Sequence, residues 1–138
     1  MENKIKWILP WQIEELTMHI DIRGSLYEAI KFTEQGVPSG GQLYVYTVNP
    51  RARRGDHFHV QKSEWFTCVY GQVVVLMKSQ LGGKLEETLD AANPRLAFAG
   101  PGTSHAFVNK TKEIAVIVAY ASKEFDKEYP DTFFELAD

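Results

Sequence analysis

Apolar and polar positions alternate with a period of two along most of the chain, the spacing that turns one set of side chains inward and the other to water. Leu43-Tyr44-Val45-Tyr46-Thr47-Val48 is rich in β-branched and aromatic residues and predicts a strand. Glu64–Tyr70 and Val73–Lys78 predict a hairpin around Gly71, and Gly82-Gly83 marks the turn between Val73–Gln80 and a strand at Leu85–Leu89. Arg95–Ala99, His105–Asn109 and Ile114–Ala121 continue the row, and Glu124–Glu128 is expected to make one helical turn before Pro130. Short strands with turns at near-regular intervals predict an all-β sandwich or barrel, not a βαβ sheet. No repeat, low-complexity stretch or linker interrupts them, so residues 1–138 are expected to form a single domain. Residues 1–20 hold Trp7, Ile8, Leu9, Trp11 and Ile13, too much apolar surface for a free tail. They are expected to form an N-terminal strand or arm, packed on the barrel or on a partner subunit of a homodimer.

Composition narrows the function classes. A formal net charge of −3 provides no electrostatic footprint for nucleic acid. No stretch is long and apolar enough for a membrane-spanning helix, and Glu2 and Glu14 interrupt the N-terminal apolar residues where a signal-peptide core would lie. The expected location is the cytoplasm. Cys68 is the sole cysteine and follows Trp65, Phe66 and Thr67, so it reads as a packing residue and not as a nucleophile.

Three of the four histidines fall into a two-part pattern: Gly55-x-His57-x-His59-x4-Glu64-x6-Gly71, then Pro101-Gly102-x-x-His105-x3-Asn109. Neutral imidazole and ionised carboxylate both donate lone pairs to a divalent first-row metal. Spaced by two on a strand, His57 and His59 leave the same face. Glu64, five residues on, lies far enough along for the chain to turn and send its carboxylate back. His105 would close the site from a distant strand. One divalent ion per chain is expected, zinc first, with nickel, manganese and iron as alternatives because such a set discriminates weakly. Any one of these residues alone would read as an ordinary core or strand-start residue; four donor types agreeing in order and spacing read as a metal site. His19 belongs to no motif, and Gly55, Gly71 and Gly102 read as turn residues.

This paired motif resembles that of the cupin superfamily, which folds as a small β-barrel or double-stranded jelly roll. Asp21-Ile22-Arg23-Gly24-Ser25-Leu26-Tyr27-Glu28 and Arg54-Gly55-Asp56-His57 further resemble segments of nucleotide-sugar 3,5-epimerases and related sugar isomerases. That likeness implies that Arg23 and Arg54 grip a nucleotide diphosphate, with Glu28 beside the substrate. Planar, permanently charged guanidinium suits such a role. It also implies His57 as the proton-transfer base and Tyr120 as the acid. His59 and Glu64 depart from the metal-free epimerases and turn their proton-transfer site into a metal-capable one. The sugar 3,4-ketoisomerases keep the histidine pair but resemble glutamine at the Glu64 position, where a carboxylate favours a cation.

From about Asp21 onward the chain most resembles the C-terminal cupin domain of bifunctional capsule-biosynthesis UDP-sugar reductase/epimerases, down to Pro130-Asp131-Thr132-Phe133-Phe134-Glu135. The resemblance implies an epimerase or isomerase of a nucleotide-linked 4-keto-6-deoxy sugar, with a separate reductase as partner. The metal would act on the carbonyl as a Lewis acid while Tyr120 reprotonates the opposite face. A metal-bound His57 could not also take the proton, so either His57 is free and the metal structural or incidental, or the base is Glu28, Tyr120 or a metal-bound hydroxide. Since one barrel hosts many chemistries, a non-catalytic small-molecule-binding cupin and an iron-dependent dioxygenase stand as the other readings.

Overall fold

The computed structural model describes residues 7–138; residues 1–6, part of the arm expected over 1–20, lie outside the described residues. Two five-stranded antiparallel sheets face one another. The first runs in the order β1 (Trp11–Glu15), β9 (Arg95–Ala99), β6 (Glu64–Tyr70), β11 (Ala115–Ala121), β4 (Gln42–Val48). The second runs β12 (Phe133–Phe134), β5 (Arg53–Phe58), β10 (Thr103–Val108), β7 (Gln72–Ser79), β8 (Lys84–Asp90). A two-stranded hairpin, β2 (His19–Asp21) and β3 (Gly24–Leu26), stands apart from both. The result is the all-β cupin jelly roll.

The core lies between the sheets. Val48, Phe66, Ala97, Ile117 and Ala119 from the first sheet meet Val73, Val75, Met77, Leu89 and Phe107 from the second. Fully burying each of the larger side chains contributes roughly 1.5–3 kcal/mol. Strand β7 alternates strictly between buried and half-buried positions, as the period of two requires. The N-terminal strand β1 pairs with β9 of its own chain, Trp11 opposite Ala99, and Trp11 packs against the core.

The first sheet is also apolar on its outer face. Trp7, Trp65, Leu96, Phe98 and Tyr120 form a second buried cluster there, with Leu16 and Ile30 against it. Farther along the same sheet Leu43 and Val45 of β4 and Val69 of β6 stay exposed. So do Ile20, Ile22 and Leu26 of the hairpin.

Two local features differ from the pattern in the sequence. Glu124–Glu128 is not helical: Asp126 accepts hydrogen bonds from the backbone N–H of Glu128 through its side chain and of Tyr129 through its carbonyl, closing a turn. A side chain that captures nearby N–H groups competes with helix formation. The one helix among the described residues is instead Phe32–Gln35, ended by Gly36 at φ 68. The other feature is a bulge in β5. His57 pairs with His105 and Gly55 with Ala106, leaving Asp56 as the extra residue, with φ 103 at Gly55 and φ 62 at Asp56. The kink falls beside His57 and sets its direction.

Candidate metal centre

The four predicted ligands come together from both sheets. His57 is the penultimate residue of the bulged strand β5, His59 follows it by two residues, Glu64 opens β6 and His105 lies within β10. One donor atom from each falls within 4.8 Å of the others.

The second layer fixes which nitrogen faces inward. His59 Nδ1 donates to the carbonyl of Asp131 at 2.6 Å, and His105 Nδ1 to the carbonyl of Thr103 at 3.2 Å. In each neutral ring that commits the proton to Nδ1 and leaves a lone pair on Nε2. Both Nε2 atoms converge on Glu64 Oε1, His59 in direct contact and His105 at 3.4 Å. That oxygen is buried without a hydrogen-bond donor. Two imidazole lone pairs and a carboxylate oxygen aimed at one point repel each other unless a cation lies between them, so the donor set fits a divalent metal.

Electrostatics point the same way. Burial, then the neighbouring His105 and His59, lowers the His57 pKa to about 4, and burial likewise lowers that of His105. Burial alone would raise the Glu64 pKa, but an N–H donated by His59 when no metal is bound, then His105 and the Tyr44 hydroxyl, outweigh it and bring it to about 2. His57 and His105 are therefore held as neutral imidazoles and Glu64 as a carboxylate, the forms that bind a metal. The Tyr44 hydroxyl donates to Glu64 Oε2, and burial followed by the Glu64 charge raises its pKa.

Asp131 is the residue that locks the arrangement. Besides receiving the His59 proton, it accepts from the N–H of Val60 at 2.8 Å and of Gln61 at 3.0 Å through its two carboxylate oxygens. It does so at φ 48, a left-handed conformation that Asp and Asn tolerate better than most. Asp131→Ala keeps the carbonyl that receives the His59 proton but frees the Val60–Gln61 turn its side chain caps, and should weaken zinc binding up to about 10-fold, the low end of the cost of disturbing an outer-layer partner. Chelator competition against zinc measures it; unchanged affinity would show that the turn holds itself.

The cluster opens into a cavity of about 230 Å3 that Gln42, Tyr44, Lys62, Phe125 and Thr132 also line. Arg54 is not among the lining residues. Its guanidinium lies 5.0 Å from the Tyr46 ring centroid, and Tyr46 stacks on Tyr44 at 5.8 Å. The other sequence-predicted residues lie elsewhere. Arg23 sits at the exposed tip of the β2–β3 hairpin, paired with Asp21 at 2.6 Å. Glu28 pairs with Lys31 at 3.2 Å and lines a different, polar groove. Tyr120 corrects the expectation that its hydroxyl faces the metal. Ala115, Ile117 and Ala119 line the core, so Tyr120 points out of the barrel, where its hydroxyl donates to the Pro38 carbonyl at 2.5 Å and accepts from Gly41 N–H at 3.0 Å. Sequence reasoning missed Tyr44, Lys62 and Asp131. Only Tyr44 carried a local signal, as an inward-facing member of the alternating run 43–48.

Comparison with known proteins agrees with this architecture. Residues 19–133 match the family described as polysaccharide biosynthesis C-terminal domain. A UDP-2-acetamido-2,6-beta-L-arabino-hexul-4-ose reductase of Pseudomonas aeruginosa is 28% identical over 120 residues, 86% of this chain and 31% of its own length. The capsular polysaccharide assembling protein CapF of Staphylococcus aureus superposes with a TM-score of 0.68 at 28% identity, over 88% of this chain and 34% of that one. The chain thus spans about a third of the length of these relatives. A dTDP sugar isomerase of Desulfovibrio desulfuricans G20 shares the fold at TM-score 0.83 and 17% identity, over 95% of this chain and 87% of that one. With the barrel, the paired motif and a family match across most of its length, the chain belongs to the polysaccharide biosynthesis C-terminal domain family of cupins.

Proposed function

We propose that the chain is a metal-containing epimerase or isomerase of a nucleotide-linked 4-keto-6-deoxy sugar, working in the synthesis of a surface polysaccharide. The observation that carries this reading is the convergence of His57, His59, Glu64 and His105 at a cavity of about 230 Å3, with Arg54 joined to its Tyr44 wall through Tyr46. Whole drug-sized ligands occupy pockets of about 300–1,000 Å3. This cavity suits a single sugar ring, with the diphosphate outside, near Arg54. The names of the relatives, a hexulose reductase and a dTDP sugar isomerase, point to the same substrate class.

A 4-keto group acidifies the adjacent C–H. When that bond breaks, the proton goes to a base, and the electron pair becomes a C=C bond with the charge on oxygen. A divalent metal, when bound, supplies Lewis-acid polarisation of that oxygen, and zinc suits the donor set best. His59 and His105 are tied to backbone carbonyls and serve as fixed ligands. His57 is the least buried of the cluster and faces the cavity. Its lone pair serves either a metal or a substrate proton at any moment. His57→Asn separates the two roles: loss of zinc marks a ligand, and retained zinc with lost exchange marks the base. The test of the reaction itself is solvent deuterium incorporation into 4-keto sugar nucleotides, read by mass spectrometry and NMR. No incorporation into any of them would end the epimerase reading, and oxygen uptake with a small acid or thiol would favour a dioxygenase.

Assembly belongs to the same reading. Exposed Leu43, Val45 and Val69 on the sheet, and Ile20, Ile22 and Leu26 on the hairpin, suit a homodimer in which one copy covers the other. Arg23 lies on that hairpin, so its grip on a diphosphate would be made across the dimer, and a reductase would be the metabolic partner. Arg54→Ala and Arg23→Ala should each raise KM by roughly 10- to 100-fold, the worth of a charge-assisted contact. Mixing Arg23→Ala with inactive Glu64→Gln, at substrate concentrations far below the raised KM, should restore up to roughly a quarter of wild-type activity, because half of the dimers then hold one intact site. Light scattering that gives a monomer at micromolar concentration removes the intersubunit part.

A further inference from the structure

Lys62 is the cavity-wall residue left without a task in this scheme. It is only 8% exposed, yet it lines the cavity that holds the metal ligands. More exposed lysines of this chain have carboxylate partners, Lys31 with Glu28 and Glu34, and Lys78 with Glu135. Lys62 has no ion pair or hydrogen bond of its side chain to any of the described residues. The carboxylate in the same cavity, Glu64, is occupied: His59 and His105 crowd one oxygen, and the Tyr44 hydroxyl donates to the other.

The backbone around Lys62 is held from both sides. Asp131 caps the N–H groups of Val60 and Gln61, and Ser63 N–H donates to Ser122 Oγ at 3.0 Å. The side chain is thus kept in the cavity wall with no carboxylate partner of its own among the described residues. With a divalent ion on the cluster the charges are +2, −1 from Glu64 and +1 from Lys62. Such a cavity carries an excess positive charge that an anionic ligand would complement.

We propose that Lys62 and the His57/His59/Glu64/His105 centre together form a binding site for one anionic oxygen group, held between the ammonium and the centre. On the epimerase reading, on which this identification of the ligand rests, the group is the enolate oxygen left when the proton departs. Lys62 is then a catalytic residue that favours the transition state over the neutral ketone.

The anion site and the reaction are tested separately. Sodium azide, a small anion with no sugar or nucleotide, is titrated calorimetrically into the zinc-loaded protein. Lys62→Met should raise the azide Kd about 10-fold or more, while Lys62→Arg stays within about threefold of wild type. Zinc content should be unchanged in both. Lys62→Gln repeats the measurement if the Met variant folds poorly. A wild type that takes up no azide, or Met and Gln variants that bind it as wild type does, overturns the proposal. In the deuterium assay Lys62→Met should slow exchange by roughly 100-fold. If wild type exchanges nothing while azide binding still depends on Lys62, the anion site stands and the epimerase reading falls. Wild-type exchange that Lys62→Met leaves untouched overturns the catalytic role.

Discussion

Glu64→Gln is expected to strip the centre of its metal. Glu64 supplies the one negative charge of the donor set, and the amide that replaces it is neutral and turns either an oxygen or an NH2 group toward the imidazoles. Zinc affinity should fall by at least about 100-fold, beyond the loss usual for an outer-layer partner. Stability should fall as well. In the metal-free protein Glu64 is a carboxylate only 1% exposed whose pKa is held down to about 2, so its charge stabilises the folded state at neutral pH. The metal-free variant should therefore melt below the metal-free wild type. The added stability of zinc, about 2.7 kcal/mol at a concentration of 100 Kd, should vanish. Thermal melts with and without zinc, together with metal analysis, read both effects. His105→Ala should lose the metal as well, but it also leaves a hole beside Phe66, whose ring lies 5.1 Å from the imidazole. Metal content unchanged in both variants would sink the four-ligand assignment.

Gly55→Ala should damage fold and site together. Gly55 has φ 103, and a Cβ there would sit 2.6 Å from the His105 carbonyl oxygen and 3.0 Å from the Ala106 Cα. Backbone cannot swing aside as a flexible side chain does, so β5 must move away from β10 at the bulge that aims His57. Left-handed strain and the forced separation together should cost about 3 kcal/mol or more. For a domain of this size that is a fall in Tm of roughly 10 °C. Gly82→Ala is the control: Gly82 has φ 106 with nothing within 4 Å of a new Cβ, so only the conformational strain of about 1–2 kcal/mol remains. Equal melting temperatures for the two variants would remove the close-approach argument. If Gly55→Ala folds but binds zinc as wild type does, the bulge is not what directs His57.

The ligand set was legible because it depends on short-range spacing. Two histidines two residues apart on a strand must share a face, and the next carboxylate lies within reach of a single turn. Most strand positions were legible for a similar reason, since alternation is a local property. Tyr120 shows where alternation stops being informative. It correctly groups Tyr120 with Val116 and Val118 against Ala115, Ile117 and Ala119, yet both sets are apolar because this sheet packs on both faces. Which set points inward is then fixed by the opposing sheet and by Trp7 and Trp65, far away in the chain. Glu124–Glu128 was misread because helix propensity was weighed without the Asp126 side chain that captures the turn.

Asp131 and Lys62 follow the same logic. Pro130-Asp131-Thr132-Phe133-Phe134-Glu135 carried a family likeness with no physical role attached. Its task became visible once β12 lay along β5, Phe134 opposite His57, and brought Asp131 to His59. Lys62 reads locally as one more surface lysine, because charge alone says nothing about burial. Spacing along the chain was enough for most of the strands, the all-β class and the candidate metal donors. The inward face of β11, the lock on His59 and the unpaired ammonium in the cavity rest on contacts between residues tens of positions apart, and such contacts exist only once the two sheets have closed on each other.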